Sequence, residues 1–352
     1  MRSTRASAHG RVNLIGEHTD YNGGFVLPTP IPQHTRVELT PRRDRTVHVR
    51  SDQAPEAGRY TLLREQRRGD WLDYVQGVTW ALRDGGWAFA GFDATITSDV
   101  PLGAGLSSSA ALEVALLRAI RATFGLDLDD TRLALLGQRA ENEFVGARCG
   151  IMDQMAASLA EAGTALFLDT RSLEVRGVPL PRVADLVVIH SGVSHAISGG
   201  DYNTRRAECE AAARLLGVSQ LRDLSLADLR RLAELPEPLG RRARHVVTED
   251  ARVLDAVAAL DANDMATLGR LFGESHMSMR DDFEVSVPEV DLLVDIATSD
   301  AAVFGARLTG GGFGGSVVML ARAGDGRQAG ERITRAYAAQ SGATPTLLVP
   351  SR

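Results

Sequence analysis

A short glycine- and serine-rich turn at residues 101–117, PLGAGLSSSAALEVALL, follows a strand-like run and opens an Ala/Leu/Val helix pattern. This order constrains the chain more than any other feature. Gly103 and Gly105 permit positive φ, and Ser107, Ser108 and Ser109 supply three hydroxyls. A helix that begins at once presents unpaired backbone N–H groups and a partial positive charge, so an anion can approach the backbone there. The same residues also describe a tight turn with a serine cap on a buried helix.

The chemistry is narrowed by an absence: the sequence has no lysine, and all 39 basic residues are arginine. A Walker A loop requires Gly-Lys-Ser/Thr and a protein kinase requires its strand lysine, so both phosphate-binding schemes are excluded, together with Schiff-base chemistry. GAGLSS also lacks the last glycine of a dinucleotide fingerprint. A nucleotide held here would rest on backbone N–H groups, serine hydroxyls, a metal and arginine.

Length and an apolar content of 44% allow a substantial core spread over two or three domains. A net charge of −6 argues against nucleic acid as the main partner. Cys149 and Cys209 are too few for a disulfide framework or a cysteine metal cluster, which fits a reducing compartment. The start has no apolar signal region and no run reaches about 18 apolar residues, so a cytoplasmic location is expected, with no membrane partner.

Residues 11–15 read as a strand, after which Glu17, His18, Asp20 and Tyr21 cluster before an Asn22-Gly23-Gly24 turn. Singly, each fits a solvated hairpin tip. Together they suit a polyhydroxylated ligand, because carboxylates accept hydrogen bonds from vicinal hydroxyls. Residues 34–39, 45–51 and 92–97 alternate like strands, and 70–83 has helical periodicity with Trp71, Tyr74, Val78 and Leu82 on one core-facing stripe. A helix is expected over 129–145, with Glu141 beside its apolar face, either as a surface group or as a magnesium ligand. In CGIMDQ, Asp153 falls in the first turn of the next helix, where it could compensate the dipole or orient and deprotonate a hydroxyl.

Strands at 164–169 and 173–178 form a hairpin, and Val178-Pro179-Leu180-Pro181 is the candidate junction between halves. A buried strand at 184–191 follows, then helices at 201–216, 243–260, 265–279 and 289–299. Five of the six residues 310–315 are glycine between two strands, either a flexible hairpin or a place of close backbone approach. A helix at 327–340 and a strand at 344–349 complete a split βαβ layer.

Three separated blocks then match one pattern. GRVNLIGEHTDYNGG resembles the galactokinase signature, PLGAGLSSSAALEVA the phosphate loop shared by the GHMP kinases, and LTGGGFGGSV their third, glycine-rich segment. CGIMDQ, LDTRSLE, YNTRRAECE and ESHMSMRDDFEVSVPE are similar to bacterial members of the galactokinase branch. The resemblance implies an α+β, two-domain GHMP kinase fold: an N-terminal βαβ-type mixed domain (1–180), a C-terminal ferredoxin-like domain (181–352) and an active site between them. It implies ATP-dependent phosphorylation of the C1 hydroxyl of galactose, or of another sugar such as arabinose or N-acetylgalactosamine; a catalytically silent galactose and ATP sensor is the rival from another class.

By the same resemblance, Asp153 is the base and Arg11 lies between it and the transferring phosphoryl. Glu17, His18, Thr19, Asp20, Gly150, Asp153 and Tyr202 hold the sugar. Ser51, Gly103, Ala104, Gly105, Leu106, Ser107, Ser108 and Ser109 hold ATP, and Ser109 and Glu141 coordinate Mg²⁺. Galactose and ATP are the expected small-molecule partners of a monomer. Two departures stand out: His9 replaces the usual Pro, loosening the approach to the first strand, and Ser316 replaces a common Cys or Ala, an exchange expected to matter little.

Overall fold

The computed structural model describes residues 3–194 and 200–348. The chain runs β1 (Thr4–Asn13), β2 (Phe25–Val26), β3 (Pro28–Pro41), β4 (Thr46–Ser51), β5 (Gly58–Thr61), α1 (Leu72–Asp84), β6 (Phe92–Ser98) and α2 (Ser108–Phe124). It continues with α3 (Asp130–Arg139), α4 (Met152–Leu159), β7 (Thr164–Asp169), β8 (Val175–Pro179), β9 (Ala184–Ser194), α5 (Gly200–Leu216), α6 (Leu229–Leu232) and α7 (Leu239–Asp261). The last elements are α8 (Met265–Asp281), α9 (Pro288–Thr298), β10 (Val303–Thr309), β11 (Gly314–Arg322), α10 (Gly326–Ser341) and β12 (Thr346–Leu348). Val349, the expected end of the last strand, lies outside the described residues.

By packing, the chain falls into two compact units. The first comprises Met1–Arg11, Pro30–Leu102 and Leu106–Ala160; the second comprises Val12–Thr29, Gly103–Gly105 and Glu161–Arg352. In the first unit a mixed sheet has the order β1-β3-β6-β4-β5. Val37 and Leu39, Val47 and Val49, and Phe92, Ala94 and Ile96 alternate with polar neighbours, so one face of the sheet is apolar. Helix α2, rich in Ala, Leu, Val and Ile, is buried with that face, and α1 and α3 contribute Val75, Val78, Leu82, Leu133 and Leu136 to the same cluster. β4 and β6 pair in parallel, the return being made through α1.

The second unit carries an antiparallel sheet of order β10-β11-β9-β12, with β11 buried on both faces. A strand, helices, two strands, a helix and a last strand in this order is the ferredoxin-like arrangement. A smaller sheet, β2-β7-β8, contains the hairpin expected from the sequence. Among the described residues no helix is long and apolar enough to cross a membrane.

The expected helix over 129–145 is shorter than its periodicity. Asp129 caps α3 by accepting the Arg132 N–H, but α-geometry ends at Arg139 and a wide π-type turn, Ala140–Val145, ends at Gly146 with φ of 90°. Glu141 lies in the first turn of that widened segment, and π-turns of this kind frequently accompany functional sites.

Candidate active site

In the first unit, α2 starts from Ser107, which holds φ at 60° without capping the helix through its hydroxyl. That hydroxyl is buried and without a protein partner, beside a helix N-terminus with unpaired N–H groups. An anion accepting from these donors would satisfy them. Ser51, Gln53, Trp71, Tyr74, Ser108 and Ser109 line a cavity of about 160 Å³. Trp71 and Tyr74, expected in the core, are only partly buried and face this cavity; their helical stripe looks the same for either fate.

Next to the serines lies a group of carboxyls. Asp153, in the first turn of α4, accepts through Oδ1 from Arg11 Nε at 2.7 Å and from Nη2 at 2.5 Å. The Arg11 side chain is 5% exposed and that of Asp153 29%, so the carboxylate retains an open edge. Gly150, buried, precedes the helix. Gln154 Nε2 donates to Glu141 Oε2 at 2.8 Å and to Glu113 Oε2 at 3.1 Å, and the Ser109 side chain hydrogen-bonds Glu141. Burial, reinforced by the charge of Asp153, pushes Glu141 up to about 7. Burial and Glu141 push Glu113 well above the usual carboxylate range.

These residues fit a divalent cation. Among the described residues no cluster of three or more His, Cys, Asp or Glu forms a ready metal cage. Mg²⁺, however, is commonly bound by one or two carboxylates plus phosphate oxygens and water. Ser109 and Glu141 are hydrogen-bonded to one another at the phosphate-loop helix, and a cation there would favour the ionised form of the Glu141 carboxyl that burial disfavours. Sequence reasoning missed Glu113 and Gln154. The available signal was a glutamate inside the apolar run of α2.

In the second unit, the loop from β1 to β2 carries the sugar-signature residues. Glu17 is buried; Oε1 accepts the Gly310 N–H at 2.7 Å and faces Arg307 Nη1 at 3.5 Å, while Oε2 accepts from Asn13 Nδ2. Thr19 donates to the Gly16 and Phe25 carbonyls. Both shape the loop from within. His18 has φ of 62°, bonds Tyr21 Oη through Nδ1 at 2.8 Å, and packs against the rings of Phe283, Tyr21 and Tyr202. Burial, with His245 nearby, lowers it to about 3, so it is neutral. Asp20 and Tyr202 are the partly exposed members; Asp20 Oδ1 accepts the Tyr21 N–H at 3.0 Å. Arg205, in the first turns of α5, is used structurally on the Phe283 and Glu284 carbonyls.

Gly103 and Gly105 take φ of 69° and 73°. A Cβ on Gly310 would come within 3.0 Å of the Gly105 carbonyl, so the glycine-rich turn after β10 marks a close backbone approach. Ser316, buried on β11, donates to the Ala104 carbonyl at 2.8 Å, a direct tie absent from the sequence reading. Leu106 returns to the first unit, where its carbonyl accepts the Arg11 N–H at 3.1 Å. His9 hydrogen-bonds the Ile31 carbonyl through Nδ1 at 2.8 Å, which restrains β1 where Pro was expected.

A sheet–helix unit with a serine-walled anion loop, joined to a ferredoxin-like unit, defines a small-molecule kinase of GHMP type. Three family models agree: GHMP kinases N terminal domain over residues 73–161, galactokinase galactose-binding signature over 2–41, and GHMP kinases C terminal over 256–339. The chain is 47% identical to galactokinase from Roseiflexus sp. (strain RS-1), with 97% of this chain and 89% of that protein covered. It is 48% identical to galactokinase from Chloroflexus aurantiacus, with 90% and 84% covered. The crystal structure of Lactococcus lactis galactokinase complexed with galactose is similar at a TM-score of 0.95 and 32% identity, covering 99% of this chain and 94% of that one. The chain belongs to the galactokinase family.

Proposed function

We propose that this chain transfers the γ-phosphoryl group of ATP to the anomeric (C1) hydroxyl of galactose, giving galactose 1-phosphate and ADP. The observation that supports it most directly is the Arg11–Asp153 pair at the start of α4, in the same unit as the phosphate-loop serines. Asp153 accepts the hydroxyl proton while the sugar oxygen forms its bond to Pγ and the bond from Pγ to the bridging oxygen of ADP breaks. Arg11 holds that carboxylate in place. Phosphoryl transfer passes through a loose transition state, so positioning and charge stabilisation carry most of the catalysis. The N–H groups and hydroxyls of Ser107, Ser108 and Ser109 take the phosphates, with Gly103, Ala104, Gly105 and Leu106 shaping their approach, and Ser51 and Trp71 face the nucleoside. Ser109 and Glu141 would hold Mg²⁺, which supplies charge neutralisation to the phosphates when bound.

On the sugar side, Asp20, Tyr202, His18 and Gly150 are the proposed contacts, with Glu17 and Thr19 setting the loop that presents them. The division into domains 1–180 and 181–352, a cytoplasmic location, a monomeric state and the absence of nucleic-acid or membrane partners belong to the same proposal. The test is ADP release with Mg-ATP against galactose, glucose, arabinose, N-acetylgalactosamine and mevalonate. Turnover confined mainly to galactose is the expected result. Best turnover with another sugar would keep the fold and the chemistry but move the substrate, and galactose and ATP binding without turnover would support a sensor.

A further inference from the structure

Arg307 of β10 is among the largest fully buried side chains, with no exposed surface, yet it lies outside every motif assigned to substrate. Its Nη1 reaches the Asn13 carbonyl at 3.2 Å, the Leu14 carbonyl at 3.1 Å and Glu17 Oε1 at 3.5 Å. Nε donates to Ser275 Oγ at 3.1 Å, and Nη2 lies 3.7 Å from Glu249 Oε1. Glu249 itself accepts the Gly16 N–H at 3.0 Å and is paired with Arg252. Two glutamates and two arginines therefore balance in charge. Each interaction aimed at residues 13–17 ends on backbone or on Glu17, and Glu17 passes the constraint on to the Gly310 N–H, where the turn meets Gly105.

A buried ion network of this kind adds little stability over apolar packing of the same volume, whereas it fixes geometry closely. We infer that Arg307 is a positioning residue, which locks the sugar-side loop 13–20 to the glycine turn at 310–315 and through it to the phosphate-loop backbone at Gly105. The inference rests on the sugar and phosphate roles proposed above. A planar fork with five donors is required for these partners, and the single ammonium of lysine cannot replace it.

The test uses the full chain with Arg307→Lys and, as a milder variant, Ser275→Ala, which removes the partner of Arg307 Nε. In Arg307→Lys, kcat per folded molecule should fall at least tenfold while the dissociation constants for galactose and ADP change less than threefold. Hydrogen exchange at the Gly16 and Gly310 amides should quicken at least tenfold, with amides of α2 unchanged. Ser275→Ala should give the same pattern at smaller amplitude. A kcat within twofold of wild type, or unchanged exchange at Gly16 and Gly310 in folded Arg307→Lys, overturns the inference; should that variant not fold, the same null results in Ser275→Ala overturn it. Wild type that fails to phosphorylate galactose would instead refute the substrate reading, and exchange at Gly310 would still decide the role of Arg307.

Discussion

In the proposed reaction Asp153 and Arg11 divide one task between a carboxylate that takes a proton and a guanidinium that fixes its position. Asparagine at 153 preserves the size of the side chain and a carbonyl oxygen for Arg11, but cannot accept a proton. In Asp153→Asn, kcat should therefore fall by about 10²–10⁴-fold, the usual range for general base catalysis. ADP affinity, read by calorimetry, should stay within about threefold. Turnover near the wild-type value would remove Asp153 from that role. At this scale the sequence displayed residue types well, because Glu17, His18, Thr19 and Asp20 are contiguous. It could not display their division of labour. Glu17 accepts from Gly310 and faces Arg307, which are 293 and 290 positions away, and Thr19 donates to local carbonyls.

At the scale of elements, strands with strict alternation and helices with an even apolar stripe were legible, and the β7–β8 hairpin and the β10–β11 glycine turn fall where the pattern placed them. The π-type turn at Ala140–Val145 was not, since its residues continue the helical period while only the backbone widens. Nor was the tie between β11 and the phosphate loop, which depends on one hydroxyl. Ser316 donates to the Ala104 carbonyl inside a buried environment, and such a bond contributes about 0.5–1.5 kcal/mol. Ser316→Ala should loosen the loop that presents N–H groups to phosphate, raising the KM for ATP about two- to tenfold, while the melting temperature moves by only a few degrees. Steady-state kinetics at saturating sugar provide the measurement, and an unchanged KM would show that the loop holds its shape without the bond.

Across the whole molecule, two sets of buried groups titrate in opposite senses. His18, His245 and His276 are lowered to about 3, 4 and 4, each chiefly by burial, so they fold neutral. An unfolded imidazole titrates near 6.5, and the stability these sites contribute is complete above that pH and declines as the pH falls toward 3–4. Asp250 is raised to about 7, mainly by burial, Glu141 likewise to about 7, and Glu113 is raised too. These fold protonated, whereas unfolded carboxyls ionise near 4; their contribution is complete below about 4, and that of Asp250 and Glu141 is lost as the pH rises through about 7. Between about pH 4.5 and 6.5 three histidine protons gained on unfolding offset three carboxyl protons released, so stability is nearly flat. Below that window the histidines act together with Glu249, whose carboxylate Arg252, His245 and Arg307 hold low against its burial, and above it the raised carboxyls act. Metal-free protein in chelator should therefore show its highest melting temperature between about pH 5 and 6.5, with a loss of about 1–2 kcal/mol by pH 8. Scanning calorimetry from pH 4 to 8.5 at fixed ionic strength measures this, with Asp250→Asn as the control. An amide at 250 still accepts the Phe25 N–H but carries no charge, so the variant should lose part of the alkaline decline and keep the acid one. A melting temperature that climbs steadily to pH 8 in both proteins would mean that the buried carboxyls are already ionised in the folded chain.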